Sequence, residues 1–140
     1  MKKKTEIVIN KEVRALLMQA ARTAALQAYC PYSKYPVGAA LLTLDGQIYT
    51  GCNIENAAYG LSQCAEQTAL FKAISAGCRQ FAALAIAGGA TRLATPCGAC
   101  RQVLSEFCTA EMPIFMARLK AGRVEVKSLA QLLPYAFKIQ

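Results

Sequence analysis

The chain of 140 residues contains no histidine, so imidazole is not available to it as a metal ligand. It also has no continuous apolar run of the length that a membrane span requires. The lysine run at residues 2–4 is followed by neither a long apolar segment nor a small-residue cleavage site. These absences argue against a secretory signal or a membrane partner and favour the reducing cytoplasm.

What the chain does contain fits one domain over residues 1–140. Its hydrophobic content of 55% is enough for a substantial core, and no internal repeat, linker or low-complexity tract divides it. Seven cysteines could form disulfides in a secreted protein, but a chain of this length does not need them. The cysteine count therefore does not require a disulfide framework.

The basic residues outnumber the acidic ones by 16 to 8, which gives a formal net charge of +8. Apart from the N-terminal lysines they are scattered, and no stretch rich in arginine and aromatic residues follows. This pattern favours a solvated surface and predicts no nucleic-acid partner. It leaves an anionic substrate or a lipid surface open.

Three cysteines and one glutamate carry the chemistry that the sequence suggests. Cys97 and Cys100 have the Cys-x2-Cys spacing that lets two thiolates reach one zinc ion from the first turn of a helix, and Cys64 offers a third. Three sulfur ligands leave the fourth position of a tetrahedral site open to water. Glu66 shares a predicted helical turn with Cys64, so its carboxylate can stand beside that water without binding the metal.

Non-catalytic roles for these cysteines stay open at this point. Cys52 or Cys108 could supply a fourth sulfur and close a purely structural zinc site, or Cys97 and Cys100 could form a redox pair. For the remaining cysteines we expect small buried apolar side chains, with an exposed thiol possible at Cys78. We favour the catalytic site because Glu66 stands where a proton carrier is needed.

The hydrophobic pattern predicts an α/β fold with a five-stranded mixed sheet between helical layers. Residues 37–44 and 47–52 form a predicted hairpin around Asp45-Gly46, with the first strand inside the sheet. The other predicted strands are residues 81–87, 114–118 and 124–127. The predicted helices run from a cap at Asn10 to about residue 30, over residues 64–76, from a cap at Thr95 with Pro96 in its first turn, and over residues 129–133.

Three blocks of the sequence together resemble the small homotetrameric cytidine deaminases. They are GCNIENAAY at residues 51–59, CAE at 64–66 and PCGACRQ at 96–102, and the similarity runs from about residue 29 to 137. The resemblance implies a three-layer α-β-α sandwich with one zinc ion per subunit. It also implies hydrolysis of cytidine and deoxycytidine to uridine, deoxyuridine and ammonia in pyrimidine salvage, with Glu66 carrying the protons.

The resemblance further implies how a pyrimidine nucleoside would be bound in active sites that the subunits of a homotetramer share. The expected contacts are Asn53 and Glu55 with the ribose, Tyr35 and the backbone N–H of Ala65 with the base, and Tyr59 and Phe137 contributed by neighbouring subunits. Without the resemblance, the two loop residues would be turn formers and the three aromatic residues core or interface packing.

The chain departs from the family pattern at Gln67, where many relatives have arginine. Three thiolates around zinc carry net negative charge, which an arginine would partly neutralise. The Gln67 amide can still donate a hydrogen bond to a thiolate, and the two helix N-termini and Arg101 could offset the rest. The departure bears on the acidity of the water and leaves the predicted ligands unchanged.

Three other functions remain as alternatives. A deaminase of another small aminopyrimidine would keep the zinc core and change the pocket, and a polynucleotide editor would use the positive charge. A structural zinc module would have a closed four-sulfur site and no turnover. Glu55 argues for a free nucleoside, because a carboxylate at the sugar repels a nearby phosphate.

Overall fold

The computed structural model describes residues 7–139, so the lysine run at residues 2–4 lies outside the described residues. Within residues 7–139, no helix is both long enough and apolar enough to cross a membrane. The elements are, in chain order, α1 (Lys11–Ala25), β1 (Val37–Thr43), β2 (Ile48–Cys52), a short 3-10 helix (Tyr59–Leu61), α2 (Ala65–Ser75), β3 (Phe81–Gly88), α3 (Gly98–Phe107), β4 (Pro113–Ala117), β5 (Glu125–Ser128) and α4 (Leu129–Leu132).

The five strands form one mixed sheet, as the sequence predicted, and their order is β2-β1-β3-β4-β5. Strand β1 is antiparallel to both of its neighbours, β3 is parallel to β4, and β5 is antiparallel to β4. Because β2 and β3 both run opposite to β1, they point the same way. Helices α2 and α3 follow these two strands, so their first turns lie at the same edge of the sheet.

Helices cover both faces of the sheet and complete the three layers that the resemblance implied. On one face, Leu17 and Ala21 of α1 pack against Ala40 and Leu42 of β1. On the other face, Leu41 packs with residues of α2, α3 and α4, among them Ala69, Leu104 and Leu129. The side chains of β1 therefore alternate between two cores, as expected for an interior strand that is buried on both faces.

Helix α1 begins as predicted but ends earlier. The Asn10 side chain accepts a hydrogen bond of 2.9 Å from Val13 N, which confirms the cap. The predicted end near residue 30 is wrong, because the helix ends at Ala25. The reason is a distant partner: the Tyr29 N–H donates to Asn53 O and the Tyr29 carbonyl accepts from Glu55 N, so this backbone is extended.

The predicted cap of α3 is also wrong. Cys97, and not Thr95, occupies the N-cap, with extended backbone angles (φ −67°, ψ 168°), and Pro96 stands outside the helix. The Cys97 sulfur accepts from Cys100 N at 3.5 Å and so performs the capping that a threonine hydroxyl was expected to provide. This shift by two residues puts the cysteine itself at the positive end of the helix.

Gly51 allows the first turn of α2 to lie directly on β2. A Cβ atom at this position would be 2.4 Å from Ala69 N and 2.6 Å from Ala65 O, which are both backbone atoms. Any other residue would push away the turn that carries Glu66. The placement of this turn therefore depends on the absence of a side chain at Gly51.

We predict that Gly51→Ala lowers the free energy of unfolding by about 3 kcal/mol, near the upper end of overpacking costs, because backbone atoms cannot rotate out of the way. Urea unfolding measures the change. Gly60→Ala is the control, since no atom lies within 4 Å of the Cβ it would add. Equal stabilities for the two variants would contradict the close approach.

Candidate active site

Three cysteine sulfurs meet between the first turns of α2 and α3. The Sγ atoms of Cys64, Cys97 and Cys100 all lie within 4.8 Å of one another. The Cys64 and Cys97 sulfurs are 3.8 Å apart, and those of Cys97 and Cys100 are 3.5 Å apart. A tetrahedral zinc with Zn–S bonds of about 2.3 Å would separate its sulfurs by about 3.8 Å. The cluster therefore fits a three-thiolate zinc site.

The local structure of both helices explains why the sulfurs converge. Cys64 and Cys97 are the N-cap residues of α2 and α3, and both have extended backbone angles. The sulfur of Cys64 makes no capping bond to its own helix, so it is available to the cysteines of α3. The partial positive charge of two helix N-termini lowers the cost of bringing three thiolates together.

The cluster is buried at one end and open at the other. Cys100 is fully buried and Cys64 half-buried, whereas Cys97 is exposed. Among residues 7–139, the group of possible metal ligands contains these three cysteines and neither Cys52 nor Cys108. Cys108 closes α3 at its opposite end. The closed four-sulfur alternative therefore finds no fourth cysteine here, and the open side leaves room for a water molecule.

Glu66 lies in the first turn of α2 with only 5% of its surface exposed. Burial raises the pKa of its carboxyl above the ordinary value, because the ionised form loses contact with water. In the cluster itself, the nearby Cys100 thiol lowers the pKa of Cys64 to about 7. The nearby Cys64 sulfur, with burial, raises the pKa of Cys100. The site thus holds a buried carboxyl group beside three thiols, one of which ionises near neutral pH.

The departure from the family pattern at Gln67 has a visible consequence. The Gln67 Nε2 atom lies 3.5 Å from Cys100 Sγ and donates a hydrogen bond to it, as the sequence suggested it could. The Arg101 guanidinium donates to Pro96 O at 2.7 Å and to Leu132 O at 2.8 Å. Arg101 thus links Pro96, the residue before Cys97, to the end of α4. Its guanidinium is directed to the backbone, because it donates to two carbonyl groups.

Asn53 and Glu55 hold the loop that precedes β1. The Asn53 side chain accepts from Val37 N at 2.9 Å and donates to Tyr35 O at 2.8 Å. The Oε1 atom of Glu55 accepts from the backbone N–H groups of Tyr32 and Ser33 at 3.0 and 3.1 Å. Asn53 and Glu55 are therefore more than turn formers with solvated side chains, because their side chains bond to the backbone of another segment. They organise the segment that carries Tyr35.

The protonation state of Glu55 follows from the same contacts. The Ser33 side chain and the backbone N–H groups of Ser33 and Tyr32 lower the pKa of its carboxyl below the ordinary value. Glu55 is therefore a carboxylate near neutral pH, and its Oε2 atom is not used in these two bonds to Oε1. An anionic acceptor of this kind suits a sugar hydroxyl.

Ile54, between these two polar residues, connects them to the sulfur cluster. Its backbone pairs with Gln63 through two hydrogen bonds of 2.9 Å, and Gln63 directly precedes Cys64. On its other side, Ile54 bridges to Tyr29. The structure therefore fastens Asn53 and Glu55 to the segment that delivers the first cysteine.

The remaining predicted residues fall into two groups. The hydroxyl of Tyr35 lies 2.5 Å from the point where a Gly89 Cβ would stand, and Ala65 is fully buried. Tyr59 and Phe137 are 75% and 70% exposed. Exposure on this scale rules out core packing for these two aromatic rings within the single chain.

Several contacts of the candidate site could not be predicted from the sequence. The backbone N–H groups of Tyr32 and Ser33 that hold Glu55 were not anticipated, nor was the clamp that Arg101 makes between Pro96 and Leu132. The PYSKYP segment at residues 31–36 and the IEN segment at 54–56 were each visible as loops. Nothing in either loop indicated that they would meet.

We predict that Cys100→Ala abolishes stoichiometric zinc binding, because two thiolates are left where the geometry provides three. Metal analysis after dialysis against a mild chelator measures the ratio of zinc to chain, with about one expected for the unaltered protein. Cys108→Ala is the matched control, since Cys108 is also a buried cysteine of the α3 segment. Zinc retained by the first variant, or lost equally by both, would contradict the assignment.

The comparisons with known proteins agree with this geometry. Residues 11–116 match the family model described as the cytidine and deoxycytidylate deaminase zinc-binding region. A cytidine deaminase of Sporosarcina psychrophila is 54% identical over 121 residues, which cover 86% of this chain and 88% of the relative. One from Halalkalibacterium halodurans is 48% identical over 124 residues, or 89% and 93% of the two chains.

A solved structure gives the same result. The crystal structure of a cytidine deaminase from Burkholderia pseudomallei superimposes with a TM-score of 0.85 at 46% sequence identity. The match covers 92% of this chain and all of the other. The family model spans the three cysteines and Glu66, and the folds agree over almost the whole length. The chain therefore belongs to the cytidine and deoxycytidylate deaminase family.

Proposed function

We propose that this protein catalyses the zinc-dependent hydrolytic deamination of cytidine and deoxycytidine to uridine and deoxyuridine, with release of ammonia. The reaction belongs to pyrimidine salvage in the cytoplasm. The observation that carries the proposal is the open three-sulfur cluster with the buried Glu66 carboxyl beside it. All seven cysteines are free thiols, which supports a reducing compartment.

Cys64, Cys97 and Cys100 would hold the zinc ion. When bound, zinc supplies Lewis acidity that makes a water molecule a nucleophile near neutral pH. Gln67 restrains Cys100 through its hydrogen bond, and Arg101 restrains the backbone before Cys97. These contacts fix the ligands before the metal arrives.

Glu66 is the proton carrier in this proposal. It accepts a proton from the attacking water and delivers it to N3 of the pyrimidine, which makes C4 more electrophilic. After the C–O bond has formed, Glu66 takes the second proton from the new hydroxyl on C4 and passes it to the exocyclic amine. The C–N bond then breaks and ammonia leaves. Burial raises the pKa of this carboxyl, so its protonated form, which both transfers need, is easier to reach near neutral pH.

The nucleoside would be oriented by the loop that Asn53 and Glu55 organise. Glu55 offers its Oε2 atom to a ribose hydroxyl, and Tyr35 stands at the base, where the backbone N–H of Ala65 also contacts it. A negatively charged Glu55 disfavours a phosphate at the sugar, so we infer that the substrates are free nucleosides. This preference separates the chain from a deaminase of nucleotides.

The exposed aromatic rings support assembly into a homotetramer with shared active sites. Tyr59 packs edge-on against Tyr32, with ring centroids 6.0 Å apart, and the Phe137 backbone is held by Gln102 Nε2 at 3.2 Å. The Tyr59 ring thus has a fixed neighbour, the Phe137 backbone is anchored, and both rings are largely exposed. We propose that each completes the pocket of a neighbouring subunit.

The activity itself is tested by ultraviolet spectroscopy of the zinc-loaded protein with cytidine, deoxycytidine, cytosine and cytidine monophosphate. We expect the spectra of the two nucleosides to change to those of their uracil products. The monophosphate should react far more slowly because of Glu55. No change with any of the four compounds would refute the proposal.

We predict that Glu66→Gln lowers kcat by about 10²–10⁴, the usual share of general acid–base catalysis, because an amide of nearly the same shape cannot accept and return a proton. Zinc content should be unchanged. Glu106→Gln, an exposed glutamate on α3, is the control and should keep the full rate. A near-normal rate for Glu66→Gln would assign the proton transfers to another group.

We predict that Phe137→Ala raises KM for cytidine by about tenfold or weakens the tetramer, because an exposed aromatic ring would be removed from a neighbour's pocket. Steady-state kinetics and analytical sedimentation measure the two effects. Ile139→Ala, at a site 89% exposed and two residues away, is the control. A fully active monomer would exclude shared active sites.

A further inference from the structure

Two loops beside the candidate active site enclose a cationic surface that the proposed deamination does not use. The loop at 89–97 follows β3 and the loop at 118–124 follows β4, and because these strands are parallel, both loops lie at the edge of the sheet where α2 and α3 begin. A backbone hydrogen bond of 3.0 Å from Leu119 N to Gly89 O joins them. We call this surface the arginine cleft.

The arginine cleft consists of two adjacent cavities. The first, of about 390 Å³, is lined by Thr91, Arg92, Leu93, Arg118 and Arg123. The second, of about 280 Å³, is lined by Ala90, Arg118, Leu119, Lys120 and Ala121. Arg118 stands between them and contributes to both. Four cationic side chains therefore face a concave surface formed by two short loops.

No carboxylate lines either cavity, so these cations are not paired within the cleft. Arg22 adds a fifth cation at the margin, since its Nε atom donates to Arg118 O at 3.5 Å. Clustered like charges repel one another and disfavour the folded state. An arrangement of this kind is explained if an anion occupies it.

We propose that the arginine cleft binds the phosphate groups of a small polyphosphate anion, the chemical class that includes nucleoside di- and triphosphates. Guanidinium groups match phosphate oxygens with paired N–H donors, and the Thr91 hydroxyl adds a neutral donor. A terminal phosphate carries about 1.5 to 2 negative charges near neutral pH. Several linked phosphates thus balance three arginines and a lysine better than one phosphate does.

The lining favours this ligand over a nucleic-acid strand. Single-strand sites combine a basic groove that follows the backbone with aromatic side chains on which bases stack. No aromatic residue lines either cavity, and the cations surround one place instead of following a track. A compact anion fits both observations.

The arginine cleft lies next to the candidate nucleoside site, and Gly89 is the point of contact. A Cβ atom on Gly89 would be 2.1 Å from Arg92 O and 2.5 Å from the hydroxyl of Tyr35. The bound anion would thus be held by the loop that leads into Cys97. Glu55 lines neither cavity, so its carboxylate does not offset the charge of the cleft there.

Isothermal titration calorimetry on the zinc-loaded protein tests the proposal with tripolyphosphate, pyrophosphate and phosphate as probes. We expect affinity to rise with the number of phosphates and to fall with added salt. The variant Arg92→Gln/Arg118→Gln/Arg123→Gln should weaken tripolyphosphate binding at least about tenfold, since each charge-assisted hydrogen bond is worth about that factor. If this variant does not fold, Arg118→Gln alone must give a tenfold loss.

The matched control removes three lysine charges elsewhere, through Lys11→Gln/Lys127→Gln/Lys138→Gln. It should retain the affinity, and an equal loss in both triple variants would reduce the effect to net charge and overturn the proposal. Binding that survives in the arginine variant would be attributed to the zinc ion and would also overturn it. Zinc content is measured after each titration, because polyphosphates chelate metals.

Two further arms identify the source of the phosphate groups. Cytidine and adenosine triphosphates that bind no more tightly than tripolyphosphate would show recognition of phosphate alone, whereas tighter binding of either would show a nucleotide ligand. Length-dependent binding of an oligothymidylate without binding of tripolyphosphate would replace the proposal with a nucleic-acid site. None of these measurements uses deaminase activity, so their failure leaves the proposed function untouched.

Discussion

The structure depends on one constraint, which is that three sulfur atoms must be held in contact although each would be an anion when it binds a metal. Two helix N-termini offset that charge, and they lie at the same edge of the sheet because β2 and β3 run in the same direction. Gly51 lets the first turn of α2 reach the sheet, and Cys97 caps α3 with its own sulfur. Sheet direction, helix packing and capping therefore act together on a single cluster.

The segment that bears Asn53 and Glu55 is attached to the same framework through the backbone. Ile54 pairs with Tyr29 and with Gln63, so the segment that bears Asn53 and Glu55 is anchored on both sides. The side chains of these two residues then fix the loop of Tyr35. The segment that leads into Cys64 and the proposed nucleoside contacts are thus positioned by one connected set of hydrogen bonds.

The sequence predicted what depends on short separations. The spacing of Cys97 and Cys100, the placement of Glu66 two residues after Cys64, and the strand and helix periods are all local. The meeting of Cys64 with Cys97, 33 residues away, was instead expected from the resemblance of three sequence blocks to the cytidine deaminases. The end of α1 could not be predicted in this way, because it is set by the pairing of Tyr29 with Ile54. The arginine cleft could not be predicted from the sequence either, because Arg92 and Arg118 come together only when two parallel strands end side by side.

The division of the sulfur ligands between two helices has a topological consequence. Cys64 and Cys97 are 33 residues apart, so a zinc ion bound by both joins distant parts of the chain as a cross-link would. A cross-link removes conformational entropy from the unfolded chain, and the gain grows slowly with the length of the closed loop. The ion that serves the reaction thereby also links α2 to α3. We therefore expect the zinc-bound protein to resist unfolding and proteolysis better than the zinc-free protein.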